Sequence, residues 1–174
     1  MLKKIGFCFA VLCMLCMGVR AAEGGKRGVI DKIKAAEVVR ADGKTIKGSK
    51  ALSKKKLIGL YFSAHWCPPC RAFTPELVKF HDECVEKGYP FEIVFISCDH
   101  SEKDMMGYMS DTNMGWVAIP YSSKLKDELM KTFGVRGIPT LIILDSKGNV
   151  ISKDARGEVT RDGIKAYKAW KAKL

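Results

Sequence analysis

The sequence predicts an α/β domain in which a central sheet is flanked by helices and preceded by a small β-hairpin. Three observations carry that expectation. Residues 57–62 and 91–98 are short runs that are apolar at nearly every position, the pattern of strands covered on both faces. Between them, Phe73, Leu77, Phe80 and Cys84 recur at spacings of four, three and four, so they share one face of a helix. A third apolar run, 141–144, follows Gly137-Ile138-Pro139-Thr140 and reads as a further strand.

Taken in order, residues 1–21 begin with Lys3 and Lys4, continue through an apolar run over 5–19 and end in Val19-Arg20-Ala21, which reads as a secretory signal peptide cleaved after Ala21. The run is shorter than the roughly 18–20 residues a spanning helix needs, and an uncleaved anchor is the alternative. Leu12 and Leu15 stand before Cys13 and Cys16, where a lipoprotein signal requires a small residue. Residues 22–35, rich in glycine and charge, are expected to be a flexible lead-in, which leaves 36–174 as the folded domain. Val38, Val39 and Ile46 flank Asp42-Gly43, a turn dipeptide between two short strands. Residues 49–56 form a polar connection into the first central strand.

The helix that opens at Pro68 is expected to run to about Lys87, before Gly88, with a kink at Pro75. If strand 91–98 lies parallel to strand 57–63, Cys98 and Asp99 emerge at the end where that helix starts. Ser101 begins a second helix with Asp104 at its third position, a capping-box arrangement, and Met105, Met106, Tyr108 and Met109 form its apolar side as core filling. A short helix over 124–133 is ended by Gly134. Residues 145–149 (DSKGN) make a turn into an edge strand over 150–153. A single terminal helix is expected over 158–174, with Ile164, Tyr167 and Trp170 in one stripe and Lys165, Lys168, Lys171 and Lys173 facing water.

The chemistry is concentrated in Cys67-Pro68-Pro69-Cys70, where a strand aims two thiols into a helix start. Unpaired backbone N–H groups there carry partial positive charge and favour a sulfur anion, so Cys67 is the expected nucleophile. Pro68 suits the first helical position, where its missing N–H has no intrahelical partner in any case. Cys70 lies one turn further on, within reach to close a disulfide, and Trp66 forms an apolar rim beside the reactive sulfur. Other uses of the pair fit less well. A structural zinc site needs a second ligand pair at matching spacing, and only His65, Cys98 and His100 lie nearby. Haem attachment needs a histidine at position 71, which is Arg71. A purely structural disulfide across two residues gains little from loop closure. Cys84 reads as a small core residue; Cys98 reads first as a buried thiol, with a redox role as its alternative.

The segment YFSAHWCPPCRAFTPEL resembles the active-site segment of the thioredoxin-like proteins, and within them the tryparedoxin and nucleoredoxin branch. FEIVFISCD, GWVAIPY and FGVRGIPTLIILD follow in that family's order, so the resemblance spans about 38–157. It implies a thioredoxin-like fold: a mixed central β-sheet flanked by α-helices, with an N-terminal hairpin extension. It also implies a thiol-disulfide oxidoreductase in which Cys67 attacks and Cys70 resolves, with Trp66, Pro68, Pro69, Ile138 and Pro139 lining the substrate site. Pro139 would be the cis-proline facing the dithiol, and Ile138 would offer its backbone to an extended substrate. No cofactor is required beyond a redox-active Cys67–Cys70 disulfide, and no metal. The implied partners are protein or small-molecule disulfides and an upstream redox protein that donates electrons. Cys-Pro-Pro-Cys in this branch goes with reduction of partners; a disulfide-forming oxidase of the same fold and a non-catalytic peptide-binding module are the alternatives. One departure stands out: ordinary thioredoxins carry a buried Asp six residues before the nucleophile, and that position here is Tyr61. Glu76 or Asp99 are the candidates to replace it.

Composition narrows the rest. A chain of 174 residues has room for one well-buried domain plus a leader, and a hydrophobic share of 47% argues against disorder. The net charge of +11 falls to +8 once Lys3, Lys4 and Arg20 are removed with the leader; the remaining lysines are dispersed and lack a nucleic-acid-reading motif. The expectation is therefore an exported monomer, periplasmic or secreted, without nucleic-acid binding and without a membrane span after leader removal.

Overall fold

The computed structural model describes residues 28–174, so the leader expected over 1–21 and residues 22–27 lie outside the described residues. The first described element is a helix over 28–35 (α1). It is followed by strands β1 (Glu37–Val39) and β2 (Thr45–Lys47), a one-turn helix α2 (Gly48–Ala51), strand β3 (Leu57–Ser63) and the long helix α3 (Pro68–Glu86). Then come β4 (Phe91–Ser97), α4 (Glu102–Asp111), β5 (Val117–Ala118), α5 (Leu125–Phe133), β6 (Thr140–Asp145), β7 (Val150–Ser152), α6 (Ala155–Asp162) and α7 (Lys165–Lys171).

The strands form one seven-stranded sheet in the order β2-β1-β5-β4-β3-β6-β7. It is mixed. β3 runs parallel to β4, from Leu57 opposite Phe91 to Ser63 opposite Ser97, and antiparallel to β6 on its other side. Every residue of β3 is buried, because alternate side chains enter two different cores. Leu57 and Tyr61 join Ile93 and Phe95 of β4 against α3, α4, α6 and α7. Ile58, Leu60 and Phe62 join Val94 and Ile96 against α1 and α5. The expected helix face of Phe73, Leu77, Phe80 and Cys84 is buried in the first core, together with Met105 and Met109. α3 continues through Pro75, which sits on its exposed face. Ser101 caps α4 by accepting from the Asp104 N–H at 3.1 Å and donating to the Asp104 carboxylate at 2.7 Å.

Three expectations need correction. The flexible lead-in is helical over 28–35, where Val29, Ile30 and Ile33 are buried on one helical face in the second core. Lys32 of α1 pairs with Glu128 of α5, so the folded domain takes in α1 and does not begin at 36. The polar connection expected over 49–56 is helical at its start, where α2 runs on from Gly48, and Ala51 and Leu52 are buried in the same core. The single terminal helix is two helices, because Gly163 takes φ +52°, a left-handed value that ends α6. The break turns α7 so that Tyr167 and Trp170 are buried, with Tyr167 stacked on Tyr89 at 4.2 Å and the Trp170 indole donating to Glu158 at 2.5 Å. Among the described residues no helix is long and apolar enough to cross a membrane.

Candidate functional site

The parallel pairing of β3 and β4 puts their C-terminal ends side by side, and α3 starts from that edge. Cys67 is the N-cap of α3 in extended conformation, and Pro68 and Pro69 occupy the first two helical positions. Neither proline has an N–H, and the Arg71 N–H is taken by the Cys67 carbonyl at 3.1 Å, so the Cys70 N–H is the one first-turn donor left to face the Cys67 side chain. Cys67 and Cys70 are both free thiols, 4% and 0% exposed, and they cluster with Ala64. The Ile138–Pro139 peptide is cis; the Cys67 Sγ lies 3.8 Å from the Ile138 carbonyl oxygen, and Ile138 packs on the thiol cluster. Five elements therefore converge on two sulfurs: the ends of β3 and β4, the start of α3, the start of β6 and the loop before it.

Trp66, expected to form an apolar rim beside the reactive sulfur, is half exposed at 51%. Its indole N–H donates to the Cys98 carbonyl at 3.0 Å and its ring stacks on His100 at 5.5 Å. Asp99, expected near the thiols, is buried and bonds the two loops together: one carboxylate oxygen accepts from the His65 N–H at 2.7 Å and the other from the Ser97 hydroxyl at 2.8 Å. Glu76 is turned away from the site and accepts from Thr160 at 2.7 Å on the surface.

The position of the missing carboxylate holds a network of hydroxyls. Tyr61 and Tyr108 lie 2.7 and 2.5 Å from the Thr74 Oγ1, and Thr74 donates to the Cys70 carbonyl at 2.9 Å. With its single proton committed there, Thr74 accepts from both tyrosines, and Tyr108 in turn accepts from Ser63 at 3.2 Å. Every member is satisfied without a charge. Burial pushes the Tyr61 and Tyr108 hydroxyls above their ordinary range, so the network stays neutral. Thr74, Ser63 and Tyr108 were not singled out from sequence as site residues.

The thiols behave differently from one another. Burial, followed by a hydrogen bond with Cys67, pushes Cys70 up to about 11, and burial pushes Cys84 up to about 12. The reduced protein is accordingly expected to lose stability as pH rises above about 9, the ordinary thiol value. Unfolded thiols release their protons there while Cys70 and Cys84 keep theirs, so the unfolded state binds fewer protons and is favoured, by about 1.4 kcal/mol per pH unit for each thiol. Denaturant titrations at pH 8 and pH 10.5 measure this, and Cys84→Ala should make the decline shallower. A decline of the same steepness in that variant would mean Cys84 ionises normally.

The residues 55–150 match the family model described as thioredoxin-like, more than half of the chain. The chain belongs to the thioredoxin-like family. Thioredoxin from Wuchereria bancrofti is 42% identical with a TM-score of 0.70, covering 82% of this chain and 98% of its own. Tryparedoxin II from C. fasciculata is 35% identical with a TM-score of 0.68, covering 81% of this chain and 90% of its own. Bovine (Bos taurus) nucleoredoxin is 41% identical over 129 residues, which is 74% of this chain but 29% of the relative. The chain thus spans under a third of the nucleoredoxin it matches, and within the family it stands in the tryparedoxin/nucleoredoxin-like branch. The nucleoredoxins and tryparedoxins it resembles are thiol-disulfide oxidoreductases, and thioredoxin-like proteins act on protein disulfides through their own cysteine centre without a cofactor. The expectation of an exported, periplasmic or secreted protein is overturned by the same comparison, since the nucleoredoxins at 41–48% identity are intracellular proteins.

Proposed function

We propose that this thioredoxin-like protein reduces disulfides in partner proteins through Cys67 and Cys70. The carrying observation is the placement of the Cys67 sulfur at the start of α3, 3.8 Å from the Ile138 carbonyl, with Cys70 fully enclosed behind it. An extended partner segment lies along the Ile138–Pro139 backbone, with Trp66, Pro68 and Pro69 as the surrounding surface. Cys67 attacks one partner sulfur; the partner's second sulfur leaves and takes a proton, and a mixed disulfide forms. Cys70 then attacks the Cys67 sulfur, releasing the partner as a dithiol and leaving Cys67–Cys70 oxidised. Another redox protein returns the two electrons. The enclosure of Cys70 supports this order, since a sulfur with no exposure is unable to meet a partner first.

The test is insulin reduction with dithiothreitol as electron source, paired with a measurement of the midpoint potential. A catalysed reduction and a potential nearer the roughly −270 mV of a reducing thioredoxin than the roughly −120 mV of a strong oxidant are expected. A value near the oxidising end would reverse the direction of electron flow, and insulin left intact would favour a peptide-binding module.

A further inference from the structure

Cys98 follows directly on β4 and is held on both sides by the segment that carries the dithiol. Its N–H donates to the Ser63 carbonyl at 2.8 Å, and its carbonyl accepts the Trp66 indole N–H at 3.0 Å. Its side chain is half-buried and packs, beside Ile138, on the cluster of Ala64, Cys67 and Cys70. Three of the four described cysteines therefore gather at one point, while Cys84 sits apart in the first core. The mechanism above uses two of the three. The third is set apart from Cys70 by access: Cys70 is fully buried and must lose its proton inside the protein, whereas Cys98, only partly buried, retains some contact with water. Burial raises Cys98 as well, with the Lys126 ammonium opposing that rise.

We propose that Cys98 is a second resolving thiol, able to attack the Cys67 sulfur while a partner is attached to it. The inference rests on the reading of Cys67 as the attacking thiol. In this step the Cys67–partner S–S bond breaks and a Cys67–Cys98 bond forms. Cys98 gives up its proton to solvent, and the partner sulfur leaves as a thiolate and is protonated. The two electrons the partner gains come from Cys67 and Cys98, so no further oxidant or reductant enters. Cys70 then displaces Cys98 from Cys67 and regenerates the same Cys67–Cys70 disulfide. Cys98 thus gives a partner a second way off the protein whenever Cys70 is slow.

The experiment compares Cys70→Ser with Cys70→Ser/Cys98→Ser, each reduced and then mixed with a synthetic peptide disulfide, using acid-quenched intact mass and peptide mapping over time. Cys70→Ala and its Cys98→Ser partner serve as a second pair should serine unfold the buried site. Both members of a pair are expected to take up one peptide on Cys67. The variant retaining Cys98 should shed it at least tenfold faster and yield a Cys67–Cys98 disulfide in the map. Equal persistence of the adduct in the two variants overturns the proposal and leaves the dithiol mechanism standing. No adduct in either overturns both together.

Discussion

Replacing Cys67 with Ser is expected to lower disulfide reduction by about a thousandfold or more, with no covalent partner complex at any time, because the hydroxyl left at the helix start neither ionises nor exchanges with a disulfide. Replacing Cys70 with Ser should leave the first attack intact and convert the protein into one that accumulates a partner adduct through Cys67 before it is lost slowly. Non-reducing gels with a partner in excess separate the two outcomes. The asymmetry arises from the fold: Cys67 caps α3 beside Ile138, while Cys70 is enclosed one turn behind it with no exposed surface. Adducts of equal yield in both variants would mean that either sulfur can meet a partner, and the assignment of attacking and resolving roles would fail.

Gly48→Ala is expected to destabilise the protein by about 3 kcal/mol, a large effect for the addition of one methyl group. A Cβ on Gly48 would stand 1.9 Å from the Ile33 carbonyl oxygen and 2.9 Å from its carbon, both backbone atoms of α1 that have no rotamer with which to move aside. The whole of α1 would have to lift, taking Val29, Ile30 and Ile33 out of the second core. Gly107→Ala in α4 is the control: nothing lies within 4 Å of its Cβ, so alanine should be neutral or stabilise by up to about 1 kcal/mol through helix propensity. Denaturant midpoints of the two variants decide it, and a loss below 1 kcal/mol at Gly48 would show that α1 contributes little to the fold.

The helix that Gly48 touches also marks where sequence reasoning fell short. The strands at 57–62 and 91–98 were legible because a run apolar at nearly every residue is enclosed on both sides, whatever its register. α1 was not, because Val29, Ile30 and Ile33 are diluted by glycines and charges, and the surface they cover exists only after β3, β4 and α5 have come together. The break at Gly163 was hidden in a charged stretch whose helical period resumes beyond it. At the site, Cys67, Cys70 and Pro139 were legible from spacing and resemblance. The hydroxyl network was not: Tyr61 stood out as the position where a carboxylate is missing, but its partners Thr74 and Tyr108 are 13 and 47 positions away in the chain. Export was misread because a charged start and an apolar run form a local pattern; the nucleoredoxin relatives outweigh it.

The hydroxyls behind Cys70 have a further meaning for how the protein meets changes in its surroundings. A carboxylate in that place would be a switch inside the wall, taking up or releasing charge beside the sulfurs as the medium acidified. Tyr61, Thr74, Tyr108 and Ser63 have no such charge to exchange; they pass hydrogen bonds from one to the next and end on a backbone carbonyl. This hydroxyl wall is electrically silent, so charge reaches the thiols from elsewhere: from the buried Asp99 beside Cys98 and from the open side, where Trp66, His100 and the approaching partner stand.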